Sequence, residues 1–202
     1  MSDTKMQQVV LASGNAGKLK EFQHMLAGLG FEVLPMSDFT SDSPEETGLS
    51  FVENAIIKAR FASHHSGLPA LADDSGLEVD ALRGQPGIYS ARFAGADATD
   101  ADNNQKLLNC LEGLTTEERT ARFQCALVFM EHAEDPTPLI TQGSWEGHIL
   151  HAQAGAGGFG YDPLFYVPEK NCSSAELTKE QKNALSHRGK ALEQMLALLG
   201  DR

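Results

Sequence analysis

Two aspartates in succession, closing a short apolar run, are the hardest feature of this 202-residue chain to accommodate. Leu68 to Ala72 reads as a buried strand, led in by Gly67 and Pro69 and broken by Gly76. It delivers Asp73 and Asp74 to its carboxyl end, followed by Ser75. Two carboxylates there are costly unless a cation or the work of a base explains them. Successive strand residues point to opposite faces, so one acid can face a site while the other holds the local backbone. An acidic turn in which aspartate caps its own amides satisfies the same residues. The doublet alone does not choose between the two.

The chain before it sets out a strand-helix alternation. Val9 to Ala12 is an apolar run ending in Ser13-Gly14-Asn15, and Leu19, Phe22, Met25, Leu26 and Leu29 then fall on one helical stripe closed by Gly30. A strand, a tight polar turn and a helix aim backbone amides and the positive helix end at an anion. Ser13 and Asn15 offer side-chain hydrogen bonds, Gly14 and Gly17 permit close approach, and Lys18 adds a charge. The spacing is not that of a Walker loop, and an ordinary capped turn reads the same way. Phe31 to Leu34 predicts a second strand ended by Pro35, and Thr40 to Thr47, carrying Asp42, Glu45 and Glu46, a loop. Ser50 and Glu53 predict a capping box opening a helix with Val52, Ala55, Ile56 and Ala59 inward, stopped by Gly67. Asn54 and Lys58 lie one turn apart on it, facing solvent or a cleft, and Lys58 is kept as a candidate.

After the acids, Leu77 to Leu82 continues briefly into a turn-rich stretch, Gly84 to Gly87. Ile88 to Phe93 mixes aromatic and basic groups and suits a pocket wall. Thr99 to Gly113 predicts a helix with Leu107, Leu108 and Leu111 inward; Asp100 and Asp102 serve its dipole and receive no chemistry. Arg119 to Glu131 alternates as a long strand. Leu139 to His151 is a second, with a polar break at Gln142-Gly143-Ser144, and the two form an antiparallel pair. The glycines at 155, 157, 158 and 160 make a costly backbone, kept where a ligand or main chain comes close. Phe159 and Tyr161 beside them suit a flat heterocycle. Leu164 to Val167 predicts a short strand. Thr178 and Gln181 then cap a helix bearing Lys182, and Ser186 opens a last helix burying Leu192, Met195, Leu196 and Leu199. His187 and Arg188 in its first turn oppose the helix dipole unless an anion binds there. The sum is a mixed α/β fold.

A formal charge of −12 argues against capture of nucleic acid by a basic surface, though not against a polyanionic small substrate screened by a metal ion. No stretch approaches the roughly 20 apolar residues of a membrane span, and Met1 to Gln8 lacks the apolar segment of a secretory signal. Cys110, Cys125 and Cys172 have neither metal-ligand spacing nor a disulfide framework. Two lie in apolar patterns and read as core residues, and a reduced cytoplasmic compartment follows.

These motifs together resemble the inosine triphosphate pyrophosphatase family, whose members hydrolyse ITP, dITP and XTP to monophosphate and pyrophosphate. The resemblance spans nearly the whole chain: SGNAGK from Ser13 to Lys18, EETG from Glu45 to Gly48, ENAxxKA from Glu53 to Ala59, ADDSG from Ala72 to Gly76, PGIYSARF from Pro86 to Phe93, GGFGYDP from Gly157 to Pro163 and SHRGKAL from Ser186 to Leu192. The first motif most often begins with threonine in the family, and Ser13 keeps the hydroxyl. The resemblance implies one α/β domain over residues 1–202, two-lobed, with an elongated mixed sheet flanked by helices, an active-site cleft between the lobes, and a homodimer. By the same resemblance Ser13, Gly14, Asn15, Ala16, Gly17 and Lys18 would hold the triphosphate. Asp74 would be the catalytic acid-base and a Mg2+ ligand, with Glu45 or Glu46 as the second ligand. Asp73 would support the turn and Ser75 touch substrate. Phe159, Gly160, Tyr161 and Asp162 would line base and sugar, while Lys182, His187 and Arg188 would read the base or phosphate.

The chemistry of these residues agrees. Mg2+ bridges carboxylates and phosphate oxygens, and hydrolysis needs a positioned water, a base and cations on the leaving pyrophosphate. A pocket donating to the 6-oxo group of hypoxanthine or xanthine would reject adenine. A pyrophosphatase of other base preference and a non-catalytic nucleotide sensor are the alternatives, and Asp74 discriminates the sensor, which needs no base.

Overall fold

Helix ends in this chain are written locally, in pairs of residues three apart. The computed structural model describes residues 6–14, 16–27 and 30–200. Ser50 caps α2 (Phe51–Ser66) by accepting from the Glu53 amide, and Gly67 ends it in the left-handed region at φ 68°. Thr99 with Asp102 and Thr178 with Gln181 form complete capping boxes at α3 (Asp100–Cys110) and α4 (Lys179–Leu185). α1 (Ala16–Ala27) precedes Gly30, which has φ 80°. The stripe residue Leu29 lies outside the described residues, as does the side chain of Met25. α5 runs from His187 to Gly200, with Ser186 Oγ accepting from the Gly189 amide.

Seven strands form one mixed sheet: β1 (Gln7–Leu11), β2 (Phe31–Pro35), β3 (Ala70–Val79), β4 (Thr120–Met130), β5 (Leu139–Ile149), β6 (Phe165–Val167) and β7 (Cys172–Ser173). Their hydrogen-bonded order is β2-β1-β3-β4-β5-β6-β7. β1 is parallel to β2 and β3, with Val10 opposite Ala70 and Leu11 opposite Leu71, the pairing that crossover helices α1 and α2 require. β6 is antiparallel to β5 and β7.

The chain forms two compact units: residues 1–74, 126–142 and 191–202, and residues 75–125 and 143–190. In the first, Ala55 and Ala59 of α2 pack on Ala72, Ala126, Val128 and Met130. Small residues on both partners bring helix and sheet close. In the second, Leu107 of α3 and Leu111 at its C-cap meet Leu77, Val79, Phe123, Trp145, Ile149 and Phe165. The guanidinium of Arg119, 4 % exposed, ties this core by donating to the carbonyls of Leu111, Leu114 and Leu150.

Three expectations change. β3 does not break at Gly76 but runs ten residues, because Leu77 and Val79 continue the buried series. The polar break expected at 142–144 is the outer face of an unbroken β5: Thr141, Gly143 and Trp145 turn inward, while Gln142, Ser144 and Glu146 are exposed. Of the cysteines only Cys125 is buried; Cys110 is exposed and Cys172 intermediate.

Candidate active site

In the first unit the two aspartates divide between two helices. Asp73, 1 % exposed, accepts from Lys18 Nζ of α1 at 2.6 Å. Asp74 Oδ1 accepts from Lys58 Nζ of α2 at 2.7 Å, and the same ammonium lies 3.3 Å from Glu46 Oε1. Asp73 therefore does more than support the turn: it anchors Lys18. Asp74 Oδ2 is buried and has no hydrogen-bond partner.

The acidic loop reaches this group through α2. Asn54, fully buried, accepts the Gly48 amide on Oδ1 at 2.9 Å, and Glu53 accepts the Leu49 amide at 2.9 Å. A Cβ on Gly48 would lie 2.6 Å from Asn54 Oδ1 and from Glu53 Cβ, so only glycine permits the approach. That seat sets Glu46 beside Lys58, one turn of helix beyond Asn54, and leaves Glu45 exposed.

Charge around Asp74 is tuned by the fold. Burial raises its carboxyl above the ordinary carboxylate range; Lys58 opposes this, while Glu46 and Asp73 add to it. Burial alone would lower the Lys58 ammonium, but Asp74, Asp73 and Glu46 outweigh it and the net direction is up. Asp74 is thus raised by burial first, and Lys58 by its carboxylate neighbours. An excess of negative charge with one buried carboxylate oxygen unsatisfied suits a divalent cation. Among the described residues no three His, Cys, Asp or Glu side chains converge as a cage. Magnesium needs none, since it is commonly held by one or two carboxylates together with substrate phosphates, and Glu46 and Asp74 are such a pair.

The predicted phosphate turn follows β1. Ser13 is half-buried with its amide on the Leu11 carbonyl at 2.9 Å, Gly14 is exposed, and Ala16 and Gly17 open α1. Asn15 lies outside the described residues.

In the second unit the glycine-rich loop is built on itself. Asp162, 2 % exposed, accepts from the Phe159 amide at 2.8 Å, from Ser174 Oγ at 2.9 Å and from Lys182 Nζ. A Cβ on Gly158, at φ 74°, would fall 2.1 Å from Asp162 Oδ2. The close approach there is to the protein's own carboxylate. Phe159 is 56 % exposed, with Lys182 Nζ 4.9 Å from its ring centroid. Tyr161, expected at the base, is instead packed in the core with its hydroxyl donating to the Ser90 carbonyl at 2.8 Å. Its phenol is pushed above its usual range by burial and then by Asp100. Asp162 is likewise committed to the loop. His187 is buried and stacks on Phe123 at 4.9 Å and 17°, and Arg188 Nη2 donates to Ser75 Oγ at 3.2 Å.

The sequence profile of the Ham1 family matches residues 9–198. The chain belongs to the Ham1 family. Among Ham1-like proteins, the dITP/XTP pyrophosphatase of Photobacterium profundum is 60 % identical over 196 residues, covering 97 % of this chain and all of that one. The dITP/XTP pyrophosphatase of Escherichia coli O157:H7 is 56 % identical over 194 residues, 96 % of this chain and 98 % of the relative. The HAM1 protein structure from Coxiella burnetii superposes with a TM-score of 0.93 at 50 % identity, covering 98 % of this chain and 100 % of that one. The α/β fold with its mixed sheet is that of this Ham1 structure.

Two groups of functional weight are weakly signalled by sequence. By periodicity Lys58 reads as an isolated helix lysine, and its place in the ENAxxKA motif one turn from Asn54 gives no hint of its acidic partners. Asp100 reads as a dipole acid, yet accepts the Gly160 amide at 2.7 Å.

Proposed function

We propose that this protein is a nucleoside-triphosphate pyrophosphohydrolase that converts dITP, ITP and XTP to the monophosphate and pyrophosphate. The observation that carries it is Asp74: one oxygen held by Lys58, the other buried without a partner, and Glu46 on the same ammonium. A carboxylate raised above its usual range is a better base near neutral pH. The full-length likeness to two dITP/XTP pyrophosphatases supports the choice of substrate.

Asp74 takes a proton from the water that attacks the α-phosphorus, and the bond to the bridging oxygen of the leaving pyrophosphate breaks. Lys58 holds Asp74 in place and keeps it ionised. Lys18, anchored by Asp73, and the backbone at Ser13, Gly14, Ala16 and Gly17 stabilise the leaving charge, with Asn15 as a further substrate-binding residue. Glu46 and Asp74 would hold Mg2+, which supplies charge neutralisation on the phosphate oxygens. Phe159 offers its exposed ring to the base, and Lys182, His187 and Arg188 supply donors that a 6-oxo purine satisfies and adenine leaves unpaired. Ser75, bonded to Arg188, orients it. No helix among the described residues is long and apolar enough to cross a membrane. A homodimer in the cytoplasm completes the proposal, the dimer being checked by sedimentation.

The test is pyrophosphate release from ITP, dITP, XTP, GTP, ATP and dUTP with Mg2+, beside Asp74→Asn. Fast release from the inosine and xanthine nucleotides alone, lost in the variant by about 10²-fold or more, is expected. Equal rates across all bases would overturn the substrate choice; nucleotide binding without release would overturn the enzyme.

A further inference from the structure

The exposed ring of Phe159 hangs on a backbone with no slack. The Phe159 amide donates to Asp162 Oδ2 at 2.8 Å, and its carbonyl accepts from the Asp162 amide at 3.2 Å. The next residue is held from another element altogether. The Gly160 amide donates to Asp100 Oδ2 at 2.7 Å, and the Gly160 carbonyl accepts from Asn104 Nδ2 at 2.8 Å. Four successive backbone groups are thus each bonded, two by the loop's own aspartate and two by α3. Asp100 and Asn104 stand at i and i+4, one above the other on the helix face, and span one residue's amide and carbonyl as a fork.

The helix does not need these two side chains for itself. Its amino end is already capped by Thr99 and Asp102, which satisfy each other's amides. A dipole role for Asp100 requires only a negative charge near the helix start, not a bond to a residue 60 positions away. Asn104 is 3 % exposed, and its Oδ1 is buried without a hydrogen-bond partner. Leaving a buried amide oxygen unsatisfied is costly, and the bond from its nitrogen to the Gly160 carbonyl is made at that cost. An aromatic side chain 56 % exposed gains nothing from water; a rigid mount is useful to it when a planar group is to be received at a set height and angle.

We infer that Asp100 and Asn104 are positioning residues for the base of the nucleotide, acting through Gly160 to hold the Phe159 ring ready for stacking. This rests on the function proposed above. Pre-organisation of the ring removes an ordering cost at binding, and loss of the fork lets the loop sample orientations in which the stack is not made. The effect falls on substrate affinity far more than on turnover, because stacking on the base is made equally in the ground and transition states.

The experiment is a double-mutant cycle on ITP turnover by the full-length protein. Asp100→Ala and Asn104→Ala each raise KM about tenfold, with kcat within about threefold, since roughly one hydrogen bond's worth of positioning is lost. Asp100→Asn keeps an oxygen for the Gly160 amide and restores most of the loss. In the Phe159→Ala background, already weak in KM, Asp100→Ala and Asn104→Ala add little more, because the ring they position is gone. Should Asp100→Ala fold poorly, Asn104→Ala carries the same cycle. Additive losses in the Phe159→Ala background, or single variants with an unchanged KM, would overturn the inference. Absence of pyrophosphate release by the wild-type protein would instead overturn the proposed function.

Discussion

Replacing Lys58 by methionine keeps the approximate length of the side chain and removes the ammonium that lies between Asp74 and Glu46. Nζ lies 2.7 Å from Asp74 Oδ1, and the two side chains are 15 % and 12 % exposed. At that distance, with an effective dielectric of about 20, the bare attraction is roughly 6 kcal/mol. Part of it is offset by desolvation of both groups, and an opposite charge this close commonly holds a carboxylate down by about 1–3 units. Asp74 already sits above the ordinary range, from burial first. Without Lys58 it rises further, because the charge that opposes burial is gone. The sign follows from the direction. A carboxyl whose folded-state pKa lies above its unfolded value favours folding least when ionised, so its cost is absent below the unfolded pKa and complete above the folded one. The variant should therefore lose more stability at pH 7.5 than at pH 4.5, relative to wild type, when both are unfolded in urea without added metal. In parallel, the acid limb of log kcat/KM for ITP should move to higher pH. An acid limb that stays in place, with a stability loss equal at the two pH values, would show that Lys58 does not set the ionisation of Asp74.

Arg119→Met leaves the carbonyls of Leu111, Leu114 and Leu150 without their shared donor in a nearly closed core, and should cost about 3 kcal/mol in urea unfolding with little change in KM. Asp162→Ala removes the acceptor of the Phe159 amide, Ser174 Oγ and Lys182 Nζ together; about 2–4 kcal/mol of stability should go, and KM for ITP should rise, whereas an unchanged KM would separate the loop from base binding. Chelation by EDTA should abolish pyrophosphate release, and Mg2+ should restore it; for Glu46→Gln the Mg2+ concentration giving half-maximal rate should rise about tenfold or more, while Glu45→Gln, at an exposed position, should stay close to wild type.

Much of this chain can be read from neighbours in sequence. Ser50 with Glu53, Thr99 with Asp102 and Thr178 with Gln181 open their helices because a cap of this kind is made between residues three apart. The early strand-helix alternation and the parallel pairing it requires were equally local in origin. Family-wide motifs, in order along the chain, also marked Asp74, Lys18, Phe159 and Arg188 as residues of interest. What those residues touch was another matter. Lys18 meets an aspartate 55 positions on, Asp100 a glycine 60 on, and Ser75 an arginine 113 on. No periodicity encodes such partners, since each is chosen by which elements the sheet order brings side by side. The same cause moved Tyr161 from the expected base pocket into the core and turned the polar residues at 142 and 144 into one face of a strand. It also selected Glu46 over Glu45 for Lys58, a choice that sequence leaves open because adjacent acids in a loop differ only in where the backbone aims them. Residue types and local caps thus determined the elements and the chemistry on offer; packing determined which charge faces which, because electrostatic and hydrogen-bond partners depend on distance in space and not along the chain.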